Sequence, residues 1–101
     1  MKVFFKKTAV DDIRATESYI AGTLHNRAAA RKQTAALFDA AMLLADNPYM
    51  GAALAGKYPV ETELRFLIVS RQMLFYRVVN DEHIEVVRVL DGRTDYMSIL
   101  F

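Results

Sequence analysis

From residue 63 onward the spacing of apolar positions changes from a helical period to the alternation of strands. Residues 2–6, rich in Val and Phe, predict a short opening strand. Thr8 then stands as the N-cap of a first helix, with Asp11 and Asp12 at the positive end of its dipole. Val10, Ile13, Ile20 and Leu24 recur at helical spacing, with Glu17 the one polar break, and Gly22 and the Leu24-His25-Asn26 stretch end the helix. Asn26 caps a second helix over residues 27–45, whose stripe of Ala29, Ala36, Ala40, Leu43 and Leu44, extended by Leu37, suits close packing of two antiparallel helices. Asn47-Pro48 stops it, and Gly51, Gly56 and Pro59 mark residues 49–59 as a loop.

Beyond residue 63 three strands are expected, over 64–69, 73–79 and 84–90, joined by Ser70-Arg71 and by Asn80-Asp81-Glu82-His83. Connections this short make an antiparallel meander. The predicted order is β-α-α-β-β-β, an α+β fold with a helical hairpin packed on an antiparallel sheet, in one domain spanning residues 1–101. A two-residue first turn sets Arg65 across from Tyr76. Equal parity in the next loop puts Arg77 and Arg88 on one face with Leu64, Phe66, Ile68, Met73, Phe75, Ile84 and Val86. Arg65, Leu67, Val69, Leu74, Tyr76, Val78, Val87 and Val89 share the other. Both faces are apolar and one hairpin covers only one well, so the second is a candidate surface for a partner or a second copy.

Composition narrows the chemistry. Hydrophobic residues make up 53% of the 101, above the usual globular share, which is a second reason to expect an uncovered surface. Cysteine is absent, which excludes disulfides, thiolate metal sites and cysteine nucleophiles. Neither a signal peptide nor a membrane span is expected, and the chain reads as soluble and cytoplasmic. Thirteen Lys and Arg against twelve Asp and Glu give a formal charge of +1, too little for sequence-independent binding to nucleic acid, and no direct sequence-specific nucleic-acid binding is expected. His25 and His83 lie in separate connections without ligand spacing, so neither metal nor cofactor is expected.

The segment from Leu64 to Asp95 resembles the ParE branch of the ParE/RelE toxin superfamily. The resemblance rests on Leu64-Arg65, Phe75-Tyr76-Arg77-Val78, and the run Arg88-Val89-Leu90-Asp91-Gly92-Arg93-Thr94-Asp95, with Asp91 where the family often has histidine. Ala9-Val10-Asp11-Asp12-Ile13, Tyr19-Ile20-Ala21 and Leu44-Ala45-Asp46-Asn47-Pro48 with Gly51 extend it over nearly the whole chain. It implies a toxin of a type II toxin–antitoxin system of the plasmid-stabilising kind, which inhibits DNA gyrase by binding and is neutralised by a cognate ParD-like antitoxin whose flexible C-terminal part wraps it. RelE-type relatives on the same fold cleave mRNA on the ribosome, and fold alone does not separate the two activities.

Residue chemistry favours binding. RelE-type cleavage uses lysines and arginines on the sheet and a tyrosine near the C-terminus. Here the last lysine is Lys57, and from it onward six basic residues face seven acidic ones. Arginine keeps its proton at ordinary pH and serves poorly as a general base. No catalytic residue is therefore assigned, and the ribonuclease reading is the alternative, with an inert antitoxin-binding relative as a third. Candidates for target or antitoxin contact are Arg65, Tyr76, Arg77, Arg88, Arg93, Asp95 and Tyr96. Each has a structural counterpart: Arg65, Arg77 and Arg88 as strand arginines lying along the faces or paired to Glu63 and Glu85, Arg93 with Asp95 as a turn pair, Tyr76 as a core residue with a bonded hydroxyl. Tyr96 is the best ribonuclease candidate, though no lysine or histidine stands beside it in sequence.

Overall fold

A computed structural model describes all of residues 1–101. Strand β1 (Lys2–Phe5) leads into helix α1 (Lys7–Ser18), which closes in a π-helical turn over Tyr19–Thr23. Helix α2 (Arg27–Asp46) returns antiparallel, followed by the two-residue strand β2 (Ala52–Ala53) and a 3₁₀ turn at Leu54–Gly56. Strands β3 (Arg65–Val69), β4 (Gln72–Val78) and β5 (His83–Asp91) form the meander, and a short helix α3 (Tyr96–Leu100) ends the chain. The sheet order is β1-β5-β4-β3-β2. The α+β order is the expected one, but the sheet is mixed, because β1 enters beside β5 in parallel, Lys2 to His83 through Phe5 to Val86. A parallel neighbour needs a crossover, and here the chain between β1 and β5 runs through the helical hairpin and then back across the sheet by β2, β3 and β4.

Local chemistry accounts for the helix ends, with two corrections. Asn26 caps α2 as expected, its Oδ1 accepting from the Ala29 N–H at 3.0 Å. Thr8 does not cap α1; the helix starts at Lys7 with Lys6 in the cap position, two residues earlier, and the Thr8 hydroxyl donates to the Val87 carbonyl at 2.8 Å. The buried stripe of α2 is Ala30, Leu37, Ala41 and Leu44, one position round from the expected alanines, and Leu43 is exposed.

The register confirms Arg65 opposite Tyr76 and Arg77 on the Phe75 side, paired with Glu85. Between Phe75 and Tyr76 the β4–β5 pairing shifts by one: Phe75 faces Arg88, Tyr76 faces Val86, and Val87 is the extra residue of a bulge. A bulge reverses the side assignment beyond it. Ile84 and Val86 therefore lie with Tyr76 and Val78 rather than with Phe75, and they join Ala9, Ile13, Leu37, Leu44, Leu74 and Val89 in the main core under the helices. Val87 itself is only half-buried.

The second sheet face is not left open along its centre. Leu54, Met73, Phe75, Leu90 and Tyr96 form a second buried cluster, closed by Tyr58, Leu64, Phe66, Met97 and Leu100. The chain's own C-terminal helix and the loop after α2 thus cover much of the face expected to await a partner. The surplus of apolar residues surfaces elsewhere, at Phe38 and Met42 one turn apart on α2, at Tyr19 and Leu24 at the hairpin's end, and at Tyr49 and Ile68.

Candidate functional site

The sequence-selected arginines of the β half turn inward on the chain's own acceptors. Arg65 donates from Nε to the Gly51 carbonyl at 3.0 Å and from a terminal nitrogen to the Tyr49 carbonyl at 3.3 Å, with its guanidinium over the Tyr49 ring. Its cross-strand neighbour Tyr76 holds the same turn, donating to the Pro48 carbonyl and accepting from the Gly51 N–H, both at 2.9 Å. Fully buried, Tyr76 is the core residue with a bonded hydroxyl that its apolar strand implied. Arg77 pairs with Glu85 at 3.0 Å. Arg88 does not pair with a strand glutamate but reaches Asp12 of α1 with two bonds of 2.8 Å, and the same carboxylate accepts the Val89 N–H at 3.0 Å.

That Asp12 contact follows from the sheet's shape. β1 covers its edge of β5 only as far as Val86, which leaves the backbone groups that residues 87–89 turn to that edge without a strand partner. The first turns of α1 supply substitutes: Lys6 N–H to Val86, the Thr8 hydroxyl to Val87, and Asp12 to Val89. Buried main-chain groups need such partners.

Arg93 pairs with Asp91 rather than with Asp95. Its Nε and a terminal nitrogen meet the two carboxylate oxygens at 3.1 and 2.9 Å, and its backbone N–H adds a third bond at 2.8 Å. These bonds, the side-chain one foremost, hold Asp91 well below the usual carboxylate range, at about 2. Asp95 precedes α3 and accepts from the Ser98 hydroxyl at 2.7 Å. Arg71 is exposed and alone among the β-half arginines engages no acceptor with its side chain. It was not singled out from sequence, because a turn arginine carries no signal until its neighbours are placed.

Tyr96 also acquires neighbours that sequence separation hid. Its hydroxyl lies 2.6 Å from the Tyr58 hydroxyl and 3.2 Å from Lys57 Nζ, which also sits over the Phe66 ring. Burial alone would raise the Tyr96 phenol, but hydrogen bonds from Tyr58 and Lys57 and the lysine's charge bring it below its ordinary value. The bond to Tyr96 raises Lys57, and the shared phenol bond raises Tyr58. The site candidates are therefore dispersed: Arg65 and Tyr76 hold one turn, Arg77 meets Glu85, Arg88 meets Asp12, Arg93 meets Asp91, Asp95 meets Ser98, and Tyr96 joins Lys57 and Tyr58. No grouping of His, Asp and Glu has metal-ligand geometry, and no helix is long and apolar enough to cross a membrane.

The chain is thus a helical hairpin on a mixed five-stranded sheet, with its strand arginines engaged internally. A chain solved in a chromosomal ParDE toxin–antitoxin system from P. aeruginosa superposes with a TM-score of 0.71 at 19% identity, covering 90% of this chain and 95% of that one. The profile for the ParE toxin of the type II toxin–antitoxin system parDE matches residues 3–96. The chain belongs to the ParE toxin family. No curated protein gives a match.

Proposed function

We propose that this ParE-family protein acts as a toxin by binding DNA gyrase, without catalysis of its own, and that a cognate ParD-like antitoxin silences it. The observation that carries the reading is the engagement of Arg65, Arg77, Arg88 and Arg93 by acceptors of the same chain. Guanidinium groups so held are structural and are not offered together to a phosphate, as metal-free RNA cleavage requires. Exposed Phe38, Met42, Tyr19 and Leu24 provide apolar area for a protein partner, and the ParDE system of the similar fold supports an antitoxin as that partner.

One observation favours the ribonuclease alternative. Lys57 and Tyr96, distant in sequence, are in hydrogen-bond contact, and Tyr96 is acidified. Against it, Tyr96 is only 6% exposed and its hydroxyl is already shared with Tyr58, which leaves little access for a substrate oxygen. Gyrase supercoiling with purified protein, with and without antitoxin, tests the reading. Inhibition with trapped cleaved DNA, reversed by antitoxin, is expected. Undisturbed gyrase together with growth arrest and cleaved ribosome-bound mRNA would replace it with the alternative.

A further inference from the structure

A cleft of about 510 Å³ opens where the end of the helical hairpin meets the β3–β4 turn and the corner after β5. One wall is apolar, from Tyr19, Ile20, Leu24 and Ala29; Tyr19 and Leu24 are each 55% exposed there. The facing wall is polar and comes from the turn and from the family-like Asp91-Gly92-Arg93 run. Arg71 stands in this wall with no ion pair, while the Arg93 charge is met by Asp91, so the cleft carries one uncompensated positive charge. At its floor Gln72 is 2% exposed: its Nε2 donates to the Thr16 hydroxyl at 3.2 Å, and its Oε1 has no hydrogen-bond partner. A buried acceptor without a partner costs about 1–3 kcal/mol, so a donor delivered there is favoured.

We propose that this cleft receives an acidic–apolar peptide segment of the antitoxin. An apolar side chain packs against Tyr19 and Leu24, a carboxylate meets Arg71, and a donor of the segment serves Gln72 as the wall adjusts. The assignment rests on the antitoxin reading above. It commits to a peptide because the site pairs an open apolar wall with a single uncompensated cation and a single unmet acceptor. A polyanion would need several free cations.

Two measurements test it. In the first, the ¹⁵N-labelled protein is titrated with acetyl-Leu-Glu-amide and, separately, acetyl-Leu-Lys-amide. Saturable shifts at Tyr19, Arg71 and Gln72 are expected with the acidic peptide only, and are lost in Arg71→Glu. In the second, antitoxin affinity is compared among the wild type, Arg71→Glu and Leu24→Ser, both at exposed positions that carry no core packing. At least tenfold weakening is expected in each, with Arg71→Lys retaining most of the affinity. Unchanged affinity in the two variants would overturn the cleft assignment and leave the antitoxin reading standing. A wild type that binds no antitoxin would sink both. Loss of gyrase inhibition in Arg71→Glu with antitoxin affinity intact would also overturn the assignment, by giving the cleft to the target.

Discussion

Tyr76 and Gly51 lock the turn after the second helix to the middle of the sheet. The Gly51 N–H donates to the Tyr76 hydroxyl at 2.9 Å, and a Cβ on Gly51 would lie 2.7 Å from that oxygen, from the Tyr76 ring and from the Phe66 carbonyl. Glycine is required here by close approach. Gly51→Ala is expected to destabilise by about 1–3 kcal/mol, since backbone on one side and a buried ring on the other cannot yield. Tyr76→Phe strands the Gly51 N–H and the Pro48 carbonyl and should cost about 1–3 kcal/mol. Urea midpoints of the two single variants and the double variant check both. Because they break one contact set, the double variant should lose less than the sum of the singles.

The Asp12 carboxylate serves two masters, the Arg88 guanidinium and the Val89 N–H, at a sheet edge that no strand covers. Asp12→Ala should therefore destabilise by about 1.5–3 kcal/mol, the range for hydrogen bonds to charged groups. Asp12→Asn keeps an acceptor for Val89 and should lose less. Hydrogen exchange distinguishes this from a mere surface ion pair: the Val89 amide should exchange much faster in Asp12→Ala and stay near wild type in Asp12→Asn. Equal exchange in all three would show that the carboxylate does not close the edge.

The β3–β4 turn holds Ser70 at φ 56°, in the left-handed region that glycine adopts without cost. The left-handed conformation penalises a side chain by about 1–2 kcal/mol, part of which glycine returns as unfolded-state entropy. Ser70→Gly is expected to stabilise by about 0.5–1 kcal/mol. Thermal unfolding should show a rise of roughly 4–8 °C for each kcal/mol in a chain of this size. A lowered midpoint would mean that the serine makes a contact worth more than the strain.

The element order was legible because the apolar period changes from residue 63 onward and the breakers fall at Asn47-Pro48 and in the short turns. The Arg65–Tyr76 register followed from the two-residue turn alone. What was not legible arose from single-residue events. The bulge at Val87 moved Ile84 and Val86 to the helical face, and nothing in the run Ile84-Glu85-Val86-Val87-Arg88 marks which residue is extra. The parallel placement of β1 and the docking of α3 over Phe75 are long-range choices without a local pattern. The arginine partners followed the same rule. Glu85, on the neighbouring strand, stood with Glu63 among the expected partners of the strand arginines, whereas Asp12 lies 76 residues from Arg88 and needed the fold.

Asp91 makes acid stability a local reporter. Its folded-state value of about 2 lies below the ordinary 3.8, the direction given by the Arg93 side chain and N–H. A depressed carboxylate contributes stability that is fully present above its unfolded value and is lost as pH falls through the folded one. The window here is from about pH 4 down to about pH 2. The Asp91 side chain is 35% exposed and Arg93 75%, so solvent screening keeps the contribution to ~1 kcal/mol or less. Carboxyl NMR should place the Asp91 midpoint well under the ordinary carboxylate value of 3.8, and Arg93→Gln should raise it. An Asp91 midpoint near 3.8 in the wild type would show that the corner is open in solution.

Tyr96 should ionise below the ordinary phenol value on alkaline titration. Its neighbours act in opposition. Burial favours the neutral phenol, while the bonds from Tyr58 and Lys57 and the ammonium charge favour phenolate and win. Tyr58, the partner that donates to that phenolate, is held to higher pH. Ultraviolet difference titration should then resolve one tyrosinate below the ordinary value of 10.0, absent in Tyr96→Phe. Lys57→Met should move it upward, because the charge and one donor are removed while burial remains. The same variants separate the two functional readings. If Tyr96→Phe and Lys57→Met keep gyrase inhibition and growth arrest, the cluster is a packing device under the second sheet face. If both abolish arrest while the folded midpoint stays within a few degrees of wild type, an acid–base role returns and binding alone no longer accounts for the toxin.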